Sequence, residues 1–168
     1  MVKKSDRRRR GYTLMEVMLV VAIIGIVSAM ATTLFKTSYQ FFTQMDARTE
    51  IQRDLRTVLD NLDRHLRQAS AATVNISQGP GQPPYSQINF LTVDGSTVTY
   101  TQTNNTLTMQ VGNDHTILTK NLQYIAFSYP ETDINTVLSI SVTLQKKTYS
   151  GRTTALQMAI SSVRIMNP

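Results

Sequence analysis

"IQRDLRTVLDNLDRHLRQAS" occupies residues 51–70, and its spacing governs how the rest of the chain is read. Ile51, Leu55, Val58, Leu62, Leu66 and Ala69 recur at steps of three or four, which lays one apolar stripe along a helix. Arg48, Glu50, Arg53, Asp54, Arg56, Asp60, Arg64 and Arg67 fall on the other side. Among them Asp60 and Arg64 stand one turn apart and attract, whereas Glu50 and Asp54 mildly repel. A stripe of this kind needs a folded body to lie on.

Upstream, nothing interrupts the helix. There is no proline between Tyr12 and Gly79, and Gly25 is the only glycine in that interval. The expectation is one helix from about Thr13 to about Ala71, about 90 Å long at the standard rise. Its first half differs in kind. Val17 to Phe35 is a run of nineteen residues without a charge, roughly enough helix to cross the hydrocarbon core of a bilayer. Lys3, Lys4 and Arg7 to Arg10 precede it with a single acid, Asp6, among them. The rest of the chain has eleven positive and ten negative residues, so the formal charge of +6 is almost wholly a property of the head. A nucleic-acid-binding domain carries its basic face on the folded part; a basic head before an apolar run instead reads as a topological signal. The positive-inside bias places the N-terminus in the cytoplasm and the body outside. The absence of cysteine removes disulfides and thiolate metal sites from consideration.

Glu16 is the anomaly in this segment, because a carboxylate at membrane depth costs a few kcal/mol. The leader fits three fates. It can act as a secretory signal cut after the small-x-small site Ala29-Met30-Ala31, releasing a chain that starts at Thr32. It can be an uncleaved anchor, or, on paired arginines alone, a twin-arginine signal. A signal's apolar region has no use for Glu16, and neither the secretory signal nor the plain anchor accounts for the helix that follows.

Downstream, Gln78-Gly79-Pro80-Gly81-Gln82-Pro83-Pro84 is a loop, and beyond it the period changes to two. Ile88 to Thr92, Val98 to Gln102, Leu107 to Val111, Thr116 to Thr119, Leu122 to Tyr129, Val137 to Gln145 and Ala155 to Ile165 are expected strands, with Asp94-Gly95 and Asn104-Asn105 as tight turns. Leu138, Ile140, Val142 and Leu144 alternate with polar residues, giving one dry and one wet face. In the last strand the apolar set shifts phase between Ile160 and Val163, which predicts a bulge near Ser161-Ser162. The fold class is therefore α+β: a long N-terminal helix, apolar then amphipathic, packed on a largely antiparallel C-terminal β-sheet.

The basic leader, Gly11, Tyr12, then Thr13-Leu14-Met15-Glu16-Val17 and a spanning apolar run resemble the class III signal of type IV pilins and type II secretion pseudopilins. Tyr12 and Met15 depart from the commonest form, which has Phe after the glycine and Leu or Ile at the second position. The helix tail from Ile51 to Ser70 is similar in texture to J-type minor pseudopilins and W-type minor pilins. The resemblance implies a pilin-like fold in four parts: a leader at 1–11 removed by prepilin peptidase, a transmembrane and filament-core helix at 12–35, an amphipathic half at 36–72 and a globular β domain at 73–168. It implies cleavage after Gly11, N-methylation of Tyr12, and an assembly role for Glu16, whose carboxylate meets the new amine of a neighbouring subunit. Its implied partners are other minor and major pilins or pseudopilins, an inner-membrane assembly platform and membrane lipid. The presence of Glu16 also argues against the tip-most pseudopilin, which typically lacks it, and favours a minor subunit beneath the tip. The implied place is the cytoplasmic membrane, single-pass, and then a pilus or pseudopilus.

Within one chain, Glu16 also gains from the helix dipole of its own first turn. Gly25 and Ala29 form a small-xxx-small pair that either permits close helix approach or reflects a glycine simply tolerated in a membrane helix. Elsewhere the chemistry is thin. His65 and His115 have no nucleophile at motif spacing, and Asp94, Asp114, Glu131 and Asp133 stand where turns favour Asp. No cofactor is expected, and no oxygen-ligand cluster of calcium-loop spacing occurs. Lys146, Lys147, Tyr149 and Arg152 form a small basic and aromatic group in an expected hairpin. Its size fits a solvated loop better than a nucleic-acid site, although a DNA-uptake or adhesion subunit remains the second functional reading.

Overall fold

The computed structural model describes residues 11–131, 136–148 and 154–167. The helix α1 spans Leu14–Arg67. A 3-10 turn at Ala71–Thr73 follows it. Among the described residues eight strands come next: β1 Asn75–Ser77, β2 Gln87–Leu91, β3 Thr97–Thr103, β4 Thr106–Val111, β5 Asp114–Thr119, β6 Leu122–Ser128, β7 Val137–Lys147 and β8 Thr154–Arg164. The contacts divide the chain into two units, with the break after Phe42.

In the second unit the expected stripe is what α1 buries: Ala47, Ile51, Leu55, Val58, Leu62 and Leu66, with Ala69 continuing it. These side chains join one apolar core with Ile88, Phe90, Val98, Tyr100 and Leu107 from the first strands and Ile125, Phe127, Leu138, Ile140, Val142 and Leu144 from the later ones. The dry face of β7 is thus where alternation placed it. Each expected strand is present, β5 starting two residues early at Asp114, and the three-residue β1, too short to show a period, is additional.

The strands form two sheets rather than one. The first is β1-β2-β3-β4-β5 and the second β6-β7-β8, with every pairing antiparallel. The break falls at Lys120-Asn121. There the Thr119 hydroxyl accepts the Asn121 N–H at 3.1 Å and the Leu122 N–H turns to the Asn105 carbonyl at 2.8 Å, so the chain leaves β5 without pairing β6 to it. Gln102 bridges the gap. Its side chain, 2 % exposed, donates to the Asn104 and Gln123 carbonyls at 3.0 and 3.2 Å and accepts the Ile125 N–H at 3.1 Å. A buried amide satisfied on both ends by backbone is stable only while all partners are present. Replacing Gln102 with Leu should cost about 2 kcal/mol, because Gln123 and Ile125 lose partners in the interior. A chemical-denaturation midpoint equal to that of the parent protein would show that water takes over these bonds.

The bulge expected near Ser161-Ser162 does not occur. Residues 154–164 of β8 pair with 137–147 of β7 in one unbroken register, Ser161 opposite Ile140 and Ser162 opposite Ser139. The apparent phase shift has another source: Leu156, Met158 and Ile160 are all exposed on the outer face, while Ala155, Val163 and Ile165 are buried. An apolar residue on an edge strand does not by itself declare which face it occupies. Register shifts occur instead at Leu107/Thr108 and at Leu122/Tyr124.

The tight turns stand as expected. Gly95 adopts φ 79° between β2 and β3, and Asn104 adopts φ 52° in the two-residue link from β3 to β4. Asn and Gly tolerate this left-handed region where most residues do not. Asp114 and His115, expected in a turn, open β5 instead, because Gly112 at φ 57° makes the reversal before them.

Candidate functional site

Gly11, Tyr12 and Thr13 are exposed and precede the first residue of α1. Thr13 starts the helix. Its Oγ1 accepts the Glu16 N–H at 3.3 Å, and its carbonyl accepts the Glu16 and Val17 N–H groups at 3.1 and 3.3 Å. A Thr in this position satisfies one of the donors that every helix N-terminus leaves open. Glu16 is the acid of the first turn, where the positive end of the helix dipole favours a carboxylate. The Thr-x-x-Glu spacing is the sequence signature of such a start, and it is the feature of this segment that residue-by-residue reading passed over.

Around Gly11 and Gly25 there is open space: a Cβ at either position would meet nothing within 4 Å. Among the described residues, packing therefore demands neither glycine. Ala29 is exposed on the same helix. Twelve large apolar side chains between Val17 and Phe35 are exposed as well, and the most apolar eighteen-residue window of α1 has no buried residue. Burying even half of those twelve is worth on the order of 10 kcal/mol. The first half of α1 is long and apolar enough to cross a membrane.

Residues 6–32 match the family model of the prokaryotic N-terminal methylation motif. That motif is the class III signal, and the match supports the type IV pilin and pseudopilin superfamily and a pilin-like protein. The matched stretch contains Gly11, Tyr12, Glu16, Gly25 and Ala29. A class III signal implies processing by prepilin peptidase and assembly with other pilins, and with the exposed apolar helix it is consistent with membrane anchoring. The pilin motif points to a structural subunit. No curated protein matches the chain.

The remaining candidates serve the fold. His65 is half-buried, with Nδ1 2.7 Å from the Tyr100 hydroxyl and 3.0 Å from the Asn61 carbonyl. The Tyr100 hydroxyl itself lies 3.3 Å from that carbonyl. Tyr100 is wholly buried, and burial pushes its phenol well above the ordinary value, so it stays protonated as a donor in this cluster. His115 is exposed at the start of β5. Among the described residues no three of His, Cys, Asp and Glu gather as a metal site. Asp133, Tyr149 and Arg152 lie outside the described residues.

Lys146 and Lys147 end β7 and do not both face solvent as a basic group. Lys146 pairs with Glu50. Asn121 donates to Asp54 at 3.1 Å and Thr119 donates to it at 2.9 Å. The repulsion expected between Glu50 and Asp54 is thereby offset by donors that only the folded chain supplies. The Lys146 hydrogen bond, ahead of the smaller opposing effect of burial, holds the Glu50 carboxyl below its usual value. A carboxyl lowered by folding adds stability above its unfolded value, and that stability is lost as pH falls through the folded one. Both side chains are about a third or more exposed, so the pair is worth only roughly 0.5 kcal/mol. The stability gap between the parent and a Lys146→Met variant should accordingly be present at pH 7 and close on acidification below the usual carboxylate range. A gap that widened in acid would show that Lys146 acts through packing and not through charge.

Proposed function

We propose that this chain is a minor pilin or pseudopilin, a structural subunit of a type II secretion pseudopilus or type IV pilus, made as a precursor and assembled through its N-terminal helix. The observation that carries the reading is the bare apolar half of α1, twelve exposed large side chains, most of it inside the matched methylation motif at residues 6–32 and holding one acid in its first turn. In this reading prepilin peptidase cuts after Gly11 on the cytoplasmic side and methylates Tyr12. The exposure of Gly11 and Tyr12 supports an accessible scissile bond.

Glu16 is then the assembly residue. Its carboxylate sits one helical turn from the new amine of its own chain and pairs with that of a neighbouring subunit, so two charges that are costly alone in lipid neutralise each other. Gly25 and Ala29 offer a flat strip where a second helix approaches closely; the empty space at Gly25 supports an intermolecular use. The domain plan is a leader at 1–11, a membrane and shaft helix at 12–35, an amphipathic half at 36–72 and the sheet domain at 73–168, displayed outside to sibling subunits. The tail from Ile51 to Ser70 supports a subunit of J or W type near the tip, where it helps initiate assembly.

The intact mass of the protein from its native host tests this. A mature chain beginning at methylated Tyr12 is expected. A chain beginning at Thr32 would make residues 1–31 an ordinary secretory signal and end the proposal. Co-purification with sibling pseudopilins and not with nucleic acid is the second expected result; Lys146, already engaged by Glu50, is one positive fewer for a DNA-binding reading.

A further inference from the structure

The chain has seven tyrosines and five phenylalanines, and four of these twelve, Phe35, Tyr39, Phe41 and Phe42, stand within eight residues of α1. All four are exposed, at 73, 58, 58 and 65 %. Phe41 and Phe42 face each other edge-on, with ring centroids 6.4 Å apart. The aromatics Phe90, Tyr100 and Phe127 instead fill the core, where each is 2 % exposed or less. The exposed group begins where the uncharged run from Val17 ends and where Lys36 supplies the first charge after it.

We infer that Tyr39, Phe41 and Phe42 form an interfacial anchor that lies in the outer headgroup layer of a phospholipid bilayer while the subunit is membrane-resident, an inference that rests on the membrane-spanning reading of α1. The length of the run places the layer. Nineteen residues rise about 28 Å, close to the hydrocarbon thickness of roughly 30 Å. Tyr39 follows Phe35 by one turn and Phe42 by two, about 6 and 10 Å further along the axis. Side chains on a helix lean toward its N-terminus, so each ring covers the turn below its own Cα. The rings therefore reach back toward the membrane, into a headgroup layer some 5–7 Å deep. Aromatic rings favour that layer, apolar on one side and wet on the other. Lys36 fits the same geometry, its aliphatic stem in the boundary and its ammonium directed outward. The anchor resists sinking as well as withdrawal, which fixes the depth of the helix and holds Glu16 at a set level near the opposite surface.

The chain has no tryptophan, so a single introduced one is a unique reporter. Two full-length variants, Phe42→Trp and Ile26→Trp, are reconstituted into phosphatidylcholine vesicles carrying a nitroxide on the headgroup or at the acyl-chain end. The Phe42→Trp emission should be quenched at least about twice as strongly by the headgroup label as by the acyl-end label, with the order reversed for Ile26→Trp. If Ile26→Trp is quenched by the acyl-end label while Phe42→Trp is quenched by neither, the helix spans but its aromatic group lies outside lipid, against water or a second helix, and the anchor is overturned. Quenching of Phe42→Trp mainly by the acyl-end label overturns it too, by placing the rings in hydrocarbon. Should neither variant be quenched, the spanning reading itself fails and takes the anchor with it.

Discussion

A Glu16→Ala precursor is expected to be cut normally after Gly11 and yet to enter filaments at least about tenfold less than the parent. The cleavage half of the expectation follows from position: Glu16 lies in the first turn of α1, beyond the exposed residues Gly11 to Thr13, and the Thr13 hydroxyl bond to the Glu16 backbone survives the substitution. The assembly half follows from charge. In the proposed filament the variant leaves a neighbour's amine without a counter-ion in a dry helix bundle, and removing one member of a buried pair costs roughly 3–5 kcal/mol. The rival explanation, that Glu16 only complements its own helix dipole, is worth no more than about 1 kcal/mol at an exposed site. Sheared-filament yield and precursor mass, measured together, separate the two. Full incorporation of the alanine variant would leave Glu16 a merely local role, and a variant that stays uncleaved would move its function to the peptidase step.

The second large effect is expected in the folded domain. Leu62 is fully buried and belongs to the apolar cluster that α1 shares with both sheets. Truncating it to Ala removes three carbons from a fully buried site in that cluster. The cost should be roughly 3–4 kcal/mol, a large share of the 5–15 kcal/mol that holds a typical domain together. Arg56→Ala, on the exposed side of the same helix, should change stability by no more than about 0.5 kcal/mol. Urea unfolding of detergent-solubilised protein, followed by near-ultraviolet circular dichroism of the tyrosines, compares them directly. Equal midpoints for the two variants would mean that the helix stripe is not what fastens α1 to the sheets.

The stripe was legible before any coordinates because helical geometry turns a spacing of three and four into a face, and Ile51 to Ala69 keep that spacing without a break. The dry face of β7 was legible for the same kind of reason, a period of two held through Leu138 to Leu144. Polar residues at the centre were not. Gln102 stands in phase with Val98 and Tyr100, and nothing in its neighbours tells that Gln123 and Ile125, 21 and 23 residues on, satisfy it. His65 likewise has its meaning from Tyr100, thirty-five residues away. The outward Leu156, Met158 and Ile160 misled in the opposite direction, since exposure on an edge strand costs little enough that apolar residues remain there.

The amino-acid order alone determined the two-part helix, the strands with a clear period, and their turns at Asp94-Gly95 and Asn104-Asn105. These are local properties, written in spacings shorter than a few turns of chain. Only the tertiary structure decided that the strands divide into two sheets, that Gln102 joins them, that β8 runs without a bulge, and that Lys146 and Asn121 quiet the acids of α1. Each of those outcomes depends on which distant groups meet, and hydrogen bonds between residues tens of positions apart leave no periodic trace in the sequence.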